Sequence, residues 1–148
     1  MRRWIGIVGT ITLLVGGGVA CGGDSFTPAE EHALKFVEAA YIHPDPEKVR
    51  PLVNEKLINP EVYNTDGYPP GEVLLGSYSS GVNEKVIVVL PEKYERRVYV
   101  ELSLGEENGK WFVYNTKKYP GKQSFEEIQE QPEYERWRID EWKSATID

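Results

Sequence analysis

Only a few side chains in this sequence have the chemistry that metal binding or covalent catalysis requires. The chain of 148 residues contains two histidines and one cysteine. His32 follows two glutamates in a helical pattern and is expected on the helix surface, whereas His43 precedes a proline and is expected in a loop. Zinc sites need three or four converging ligands, and serine hydrolases of the G-x-S-x-G type need a motif that does not occur here. The sequence therefore predicts no catalytic residue, no metal site and no cofactor.

Acidic residues are numerous, but their spacing does not favour an acid–base pair. The glutamate pairs at 30–31, 106–107 and 126–127 are adjacent in sequence, and neighbouring side chains point different ways on a helix or strand. We interpret these pairs as solvated charge. Asn64, Asp66 and Gly67 match part of a calcium-binding loop, but the remaining ligands are missing at the required spacing.

The single cysteine, Cys21, ends an N-terminal pattern that is typical of exported proteins. Two arginines precede an uncharged run over 4–20 that ends in small residues, the order of a secretory signal peptide. Residues 18–21 resemble a bacterial lipobox, in which the cysteine sulfur is joined to diacylglycerol and the chain is cut before it. Glycine stands where a lipobox usually has leucine. The resemblance implies a signal peptide over 1–20 and a mature N-terminus at Cys21 that carries lipid, including a fatty acyl chain such as palmitate. Attachment is then expected at the extracytoplasmic face of the cell membrane.

Two other interpretations of this segment stay open. Gly18 and Ala20 also satisfy the small-x-small rule of the general signal peptidase, which would leave a free thiol in an oxidising compartment. A permanent membrane-spanning helix is disfavoured, because the apolar run falls short of ~20 residues and three consecutive glycines weaken it. Lipidation is favoured because it consumes the thiol.

The charge of the predicted mature chain limits its partners. Removing 1–20 leaves 128 of the 148 residues, and it takes away two of the 17 basic residues and none of the 24 acidic ones. The net charge therefore changes from −7 to −9. An acidic surface disfavours nucleic acid, so we predict no nucleic-acid partner. The length fits one domain, and a lone cysteine allows no internal disulfide.

Capping signals predict two helices after a Gly-rich tether at 21–26. Thr27 and Glu30 form a capping box, and Pro28 fits the first helical position. The apolar stripe of this helix comprises Ala33, Phe36, Val37, Ala40 and Tyr41. Asp45 repeats the start signal, but Pro51 falls where a helix interior would be. A turn and a second helix are expected there, with Val49, Leu52, Val53 and Leu57 as its apolar residues.

The period then changes to two, which predicts strands over 73–78, 84–90 and 97–104. In the last of these, Val98, Val100, Leu102 and Leu104 alternate with Tyr99, Glu101 and Ser103, which indicates one core face. Asn108 and Gly109 predict a two-residue hairpin turn to a fourth strand. This turn places Leu104 opposite Val113 and Glu106 opposite Trp111.

The expected fold is α+β, with the N-terminal helices packed on a four-stranded antiparallel meander sheet. A helix opening with TPAEEHALKFVEAAY, a short second helix and a hairpin with NGKWFVYNTKK together resemble the small NTF2-like, or cystatin-like, domains of exported bacterial lipoproteins. The resemblance covers 27–118. It implies a domain that sometimes encloses a pocket between its helix and its sheet. Residues 119–148 form an acidic, aromatic and partly helical C-terminal extension outside the resemblance.

Aromatic residues form the candidate binding surface. Tyr99, Phe112 and Tyr114 are expected on the sheet face opposite Val98 and Val113. If that face is open, it suits a peptide, glycan or protein partner. In the alternative, which we favour, the C-terminal segment with Trp137 and Trp142 folds back over it.

Three hypotheses of function follow from the sequence. The first is a non-catalytic accessory or binding module for a protein or peptide of the cell envelope, held on the membrane through Cys21. The second is a small-ligand carrier with an apolar pocket lined from Phe36, Tyr41 and inner strand residues. The third, least favoured, is an NTF2-like enzyme that uses the same pocket.

Overall fold

The fold is α+β and is built on one antiparallel sheet. The computed structural model describes residues 25–148 and the backbone of the short strand β1 (Val19–Ala20). The five longer strands are β2 (Gly71–Ser80), β3 (Asn83–Val89), β4 (Arg97–Glu107), β5 (Lys110–Lys122) and β6 (Trp142–Ile147). With β1 at one edge, the six described strands lie in the order β1-β6-β2-β3-β4-β5. The predicted lipidation site Cys21 and most of the predicted signal peptide lie outside the described residues.

The first helix, α1 (Pro28–Val37), begins as the sequence predicts. Thr27 accepts a hydrogen bond from the backbone N–H of Glu30, and the Glu30 carboxylate accepts one from the backbone N–H of Thr27. This reciprocal capping box satisfies backbone donors that the first helical turn leaves unpaired. A five-residue π-helical turn (Glu38–Ile42) continues the helix. Apolar residues of both pieces pack into the main core, which lies between α1 and one face of the sheet.

The predicted second helix is mostly wrong. Helix α2 (Pro46–Val49) starts at Asp45 as predicted, but it passes after one turn into a 3-10 turn (Arg50–Leu52) and ends. Pro51 lacks an N–H and cannot continue an α-helical ladder. Val49 and Val53 are buried, whereas Leu57 is 65% exposed. Another 3-10 turn (Pro60–Tyr63) follows before the sheet begins, and it buries Tyr63.

The hairpin register is confirmed. Leu104 lies opposite Val113 and Glu106 opposite Trp111 across the turn at Asn108 and Gly109. Both turn residues have positive φ, as a type I′ turn requires. The alternation in β4 is also confirmed, because Val100, Leu102 and Leu104 are buried in the main core, whereas Tyr99 is buried in a separate cluster. A β-bulge follows at Ser103/Leu104, where the register shifts by one residue on β5.

The prediction of a four-stranded sheet needs correction. The meander β2-β3-β4-β5 is present, but β6 also pairs with β2 at its edge. Ala145 and Ile147 of β6 are buried in the main core, so the last residues of the chain complete it. The sequence of β6, WKSATI, contains too few strongly apolar residues to signal a strand by itself.

Residues between β5 and β6 cover the other face of the sheet. Helix α3 (Phe125–Gln129) and a 3-10 turn (Tyr134–Arg136) build a second core with Ile87, Val89 and Tyr99 beneath Ile128 and Trp137. The sheet is thus packed on both faces. None of the helices within 25–148 has the length and apolar character needed to cross a bilayer.

Candidate functional site

A cleft lies where the first helix ends, and we call it the tyrosine–lysine cleft. Its volume is about 360 Å³, within the range typical of ligand pockets. It is lined by Ala40, Tyr41, Val62, Tyr63, Thr65, Asp66, Tyr68, Lys93 and Lys118. These residues come from the π-helical turn, the 3-10 turn Pro60–Tyr63, the loop between that turn and β2, the β3–β4 turn and strand β5.

The walls of the cleft are held by backbone contacts. The N–H of Tyr68 donates to the carbonyl of Tyr41 at 2.7 Å, which docks the loop onto the π-helical turn. The loop approaches so closely that a Cβ at Gly67 would lie 2.4 Å from the carbonyl oxygen of Ile42. Only glycine fits there without moving backbone. Single π-helical turns of this kind occur frequently at functional sites.

Aromatic rings form the floor. Tyr41 contacts Phe36, Tyr63 and Tyr68 edge-to-face, with centroids 6.0, 5.8 and 6.5 Å apart. Burial, followed by the neighbouring Tyr63 and Tyr68, raises the pKa of Tyr41 well above its usual value. Its hydroxyl therefore stays neutral at physiological pH, suited to hydrogen bonding rather than to acting as a base.

Two lysines supply the charge of the cleft. The ammonium groups of Lys93 and Lys118 lie 5.2 and 5.4 Å from the centroid of the Tyr68 ring. Lys93 also donates to the carbonyl of Gly67 at 3.0 Å. Cation–π contacts and a carbonyl hold these cations without neutralising them. Ion pairs within 25–148 involve Arg50, Lys85 and Lys143, and neither cleft lysine.

Two exposed apolar side chains lie at or beside the cleft. Val62, which lines it, is 60% exposed, and Tyr94, whose ring centroid is 5.5 Å from the ammonium group of Lys93, is 87% exposed. Tyr94 and Glu95 have φ values of 54° and 59° in the β3–β4 turn. Glycine or asparagine usually occupies such positions, and a bulky residue there costs about 1–2 kcal/mol. Backbone strain of this kind clusters at functional sites.

The opposite end of α1 carries a closed network of charges, which we call the Glu30 network. Glu30 is only 3% exposed. Its carboxylate accepts hydrogen bonds from Lys143 at 2.8 Å, Ser77 at 2.7 Å and the Thr27 N–H at 3.0 Å. Burial by itself would raise the pKa of Glu30, but these donors lower it below its usual value. The network joins α1 to strands β2 and β6.

Neither histidine lines the cleft. His32, expected on the surface, is half-buried, and its Nε2 donates to the carbonyl of Leu52 at 2.9 Å. Burial is the largest cause that lowers the pKa of His32, so it is neutral and ties α1 to the following segment. His43 is exposed, and its Nε2 donates to the backbone oxygen of Asp148 at 2.7 Å. Within 25–148, no three metal-binding side chains converge.

The structure separates the five residues of the candidate binding surface. Tyr99 is fully buried, stacks on Tyr119 at 4.8 Å and meets the edge of Trp137 at 5.6 Å. Trp142 is half-buried in the same cluster and donates to the Tyr134 hydroxyl. Thus the C-terminal segment covers this part of the face, the arrangement that we favoured.

Phe112 and Tyr114 lie elsewhere, near the β4–β5 hairpin. Both are half-buried. The Lys110 ammonium lies 5.0 Å from the Phe112 ring. The Tyr114 hydroxyl is buried without a hydrogen-bond partner among the described residues.

Sequence reasoning missed most of the cleft. It named Tyr41 as a pocket residue together with Phe36, but Phe36 is fully buried and does not line the cleft. Lys93 and Lys118 lie 25 positions apart in sequence and carry no local motif. The available signal was the pair Tyr63 and Tyr68, two tyrosines in a segment of the sequence that is rich in Pro, Gly, Asn and Asp.

No protein-family model, no curated protein and no solved structure matches this chain. The likeness to NTF2-like lipoproteins therefore stays a prediction from the sequence.

Proposed function

We propose that this chain is a lipid-anchored, extracytoplasmic binding module of a bacterial envelope, and that the tyrosine–lysine cleft is its ligand-contacting site. The observation that carries the proposal is the lining of the cleft. Tyrosine side chains and ammonium groups held by aromatic rings suit recognition of a partner by hydrogen bonds and charge. An NTF2-like ancestry of the domain is part of the proposal.

The place of the cleft relative to the tether supports this role. The predicted tether joins the domain at Thr27, where α1 is capped, whereas the cleft contains Tyr41 at the far end of the same helix. At 1.5 Å per helical residue, the two points are about 20 Å apart. A domain held at Thr27 has its cleft clear of the attachment point.

A small-ligand carrier is the second candidate. The cleft volume of about 360 Å³ favours it, because this space suits a small molecule as well as the side chains of a peptide. The lining changes the expected ligand of such a carrier. The sequence predicted an apolar pocket, whereas the cleft combines aromatic rings with lysines.

The anchor is tested by the mature N-terminus. Mass spectrometry of the protein from a bacterial membrane fraction is expected to find a diacylated Cys21, and Cys21→Ser is expected to release the protein into the soluble extract. Ser25→Ala, a small change in the same tether, is the matched control. An unmodified N-terminus, or a wild-type protein that leaves the membrane in plain buffer, contradicts the anchor.

The binding role is tested by photocrosslinking in cells. A photoreactive residue at Val62, on the cleft rim, is expected to give a discrete adduct with an envelope protein. Val82, which is 97% exposed in the β2–β3 turn at the other end of β3, is the matched control position. Equal adducts from both positions contradict a binding role for the cleft. An adduct with a small molecule in place of a protein favours the carrier.

A further inference from the structure

The tyrosine–lysine cleft holds positive charge on an acidic protein. The whole chain has a net charge of −7, yet Lys93 and Lys118 direct their ammonium groups to the same Tyr68 ring. A carboxylate is within 4.0 Å of neither ammonium among the described residues. Both lysines line the same cleft, so both charges act on a ligand that enters it.

Lys93 is fixed more firmly than a surface lysine. Its ammonium lies 5.2 Å from the Tyr68 ring centroid and 5.5 Å from that of Tyr94, and it donates to the Gly67 carbonyl. A lysine that is already positioned loses less side-chain entropy when a ligand binds. Its charge is preorganised and unneutralised.

Beside this charge the cleft offers apolar contact. Val62 lines the cleft and is exposed, and the exposed Tyr94 ring lies beside it against the Lys93 ammonium group, in a turn with a positive φ. Tyrosine rings favour planar or apolar groups, and ammonium groups favour carboxylates and phosphates.

We infer that the cleft binds a ligand in which a carboxylate or phosphate is attached to an apolar or planar ring. The anionic group contacts Lys93 and Lys118, and the ring lies against Val62 and Tyr94. The inference rests on the proposed function, because it names the ligand class of the same cleft.

Asp66 allows a test of the sign of the ligand's charge. Its carboxylate also lines the cleft and is exposed, so it opposes an anion and reduces the net charge of the lining to +1. Removing the Asp66 charge is expected to strengthen binding, whereas removing a lysine weakens it.

The experiment is a titration of the full chain in a non-ionic detergent, followed through backbone amide shifts. The probes are phenyl phosphate and benzoate, with benzyl alcohol as the uncharged ring and inorganic phosphate as the ringless anion. Saturable shifts are expected at residues 65–68 and 93–94. The anion that binds more tightly, phosphate or carboxylate, identifies the charged group.

Matched variants give the expected magnitudes. Lys118→Gln is expected to raise the Kd about fivefold and Asp66→Asn to lower it a few-fold, magnitudes of a single charged contact at a partly exposed site. Lys117→Gln is the control, because that neighbouring lysine lies over Tyr119 on the other sheet face. Tyr94→Gly is expected to raise the Kd of the ring-bearing probes and to leave the Kd of inorganic phosphate unchanged.

Three results would overturn the inference: no saturable shift with either ring-bearing anion, equal effects of Lys118→Gln and Lys117→Gln, or benzyl alcohol that binds as tightly as phenyl phosphate. A crosslink at Val62 combined with any of these results would leave the binding module in place and reject the anionic ligand. If the crosslink at Val62 is absent but the probe titrations give the expected results, the anionic ligand class stands and the binding module for an envelope protein is rejected.

Discussion

The two ends of the first helix use charged residues in opposite ways. At its start, Glu30 is buried and its carboxylate accepts hydrogen bonds from Lys143, Ser77 and the Thr27 backbone. At its far end, Lys93 and Lys118 contact an aromatic ring and no carboxylate of the described chain. The first arrangement joins three elements of the fold, whereas the second leaves charge available to a ligand.

This difference has a physical basis. A buried carboxylate is tolerated only when its lost hydration is replaced by donors, so the Glu30 network must be complete for the fold to be stable. An exposed lysine keeps its hydration and needs no partner. Substitutions in the Glu30 network are therefore expected to change stability, and substitutions in the tyrosine–lysine cleft to change binding.

The largest effect is expected from deleting 119–148. The deletion removes Lys143 from the Glu30 network, the whole of β6, and Ile128 and Trp137 from the second core. We expect no cooperative unfolding transition in urea followed by circular dichroism. Deleting 1–20 is the control and is expected to keep the transition. A cooperative transition with the wild-type midpoint after loss of 119–148 would contradict the role of this segment as core.

Lys143→Met is expected to have the next largest effect, a loss of about 2–4 kcal/mol in the free energy of unfolding at pH 7. The substitution leaves the Glu30 carboxylate buried without its cation, and Lys143 itself is only 16% exposed. Urea titration measures the loss. Adding Glu30→Gln to the same chain is expected to restore part of it, because the stranded charge disappears. If the double variant is the less stable of the two, the Glu30 network is not an ion pair of this kind.

The pH dependence of stability sharpens the comparison. The Glu30 network lowers the pKa of Glu30 in the folded state below its usual value of 4.5, so the folded state holds the Glu30 proton less tightly than the unfolded chain. Its contribution is present above about pH 4.5 and is lost as pH falls towards the lowered folded pKa. Urea titrations from pH 7 to pH 3 are expected to show a shallower decline for Glu30→Gln than for the wild type. Parallel declines would show that the network does not couple to protonation.

The smallest effects are expected in the cleft. Lys118→Gln is expected to change the free energy of unfolding by less than about 0.5 kcal/mol, the usual range for exposed positions. Lys93→Gln is expected to cost up to about 1 kcal/mol, because the half-buried Lys93 also loses its hydrogen bond to the Gly67 carbonyl. Tyr94→Gly is expected to stabilise the protein by roughly 0.5–1 kcal/mol, because glycine adopts the positive φ of 54° without strain. Thermal unfolding of the three variants measures these shifts. A large loss of stability from either lysine variant would place the cleft lysines among the residues that hold the fold.

Local structure could be predicted from the sequence. The capping box of Thr27 and Glu30 and the register between Leu104 and Val113 depend on neighbouring residues or on one turn, so the order of residue types determines them. The alternation in β4 marks its core face for the same reason. At the N-terminus, the lipidation predicted for Cys21 lies outside the described residues and stays a prediction from the sequence.

Contacts between distant residues were decided by the tertiary structure. Lys143 meets Glu30 across 113 positions, and β6 joins the sheet beside β2 although its sequence has no strong strand signal. Likewise, Lys93 and Lys118 share the Tyr68 ring only because a loop, a turn and a strand meet at the end of the first helix. The sequence by itself determined caps, turns and alternation because these depend on residues close together in the chain. Which charge is buried and which remains available depends on how the whole chain packs.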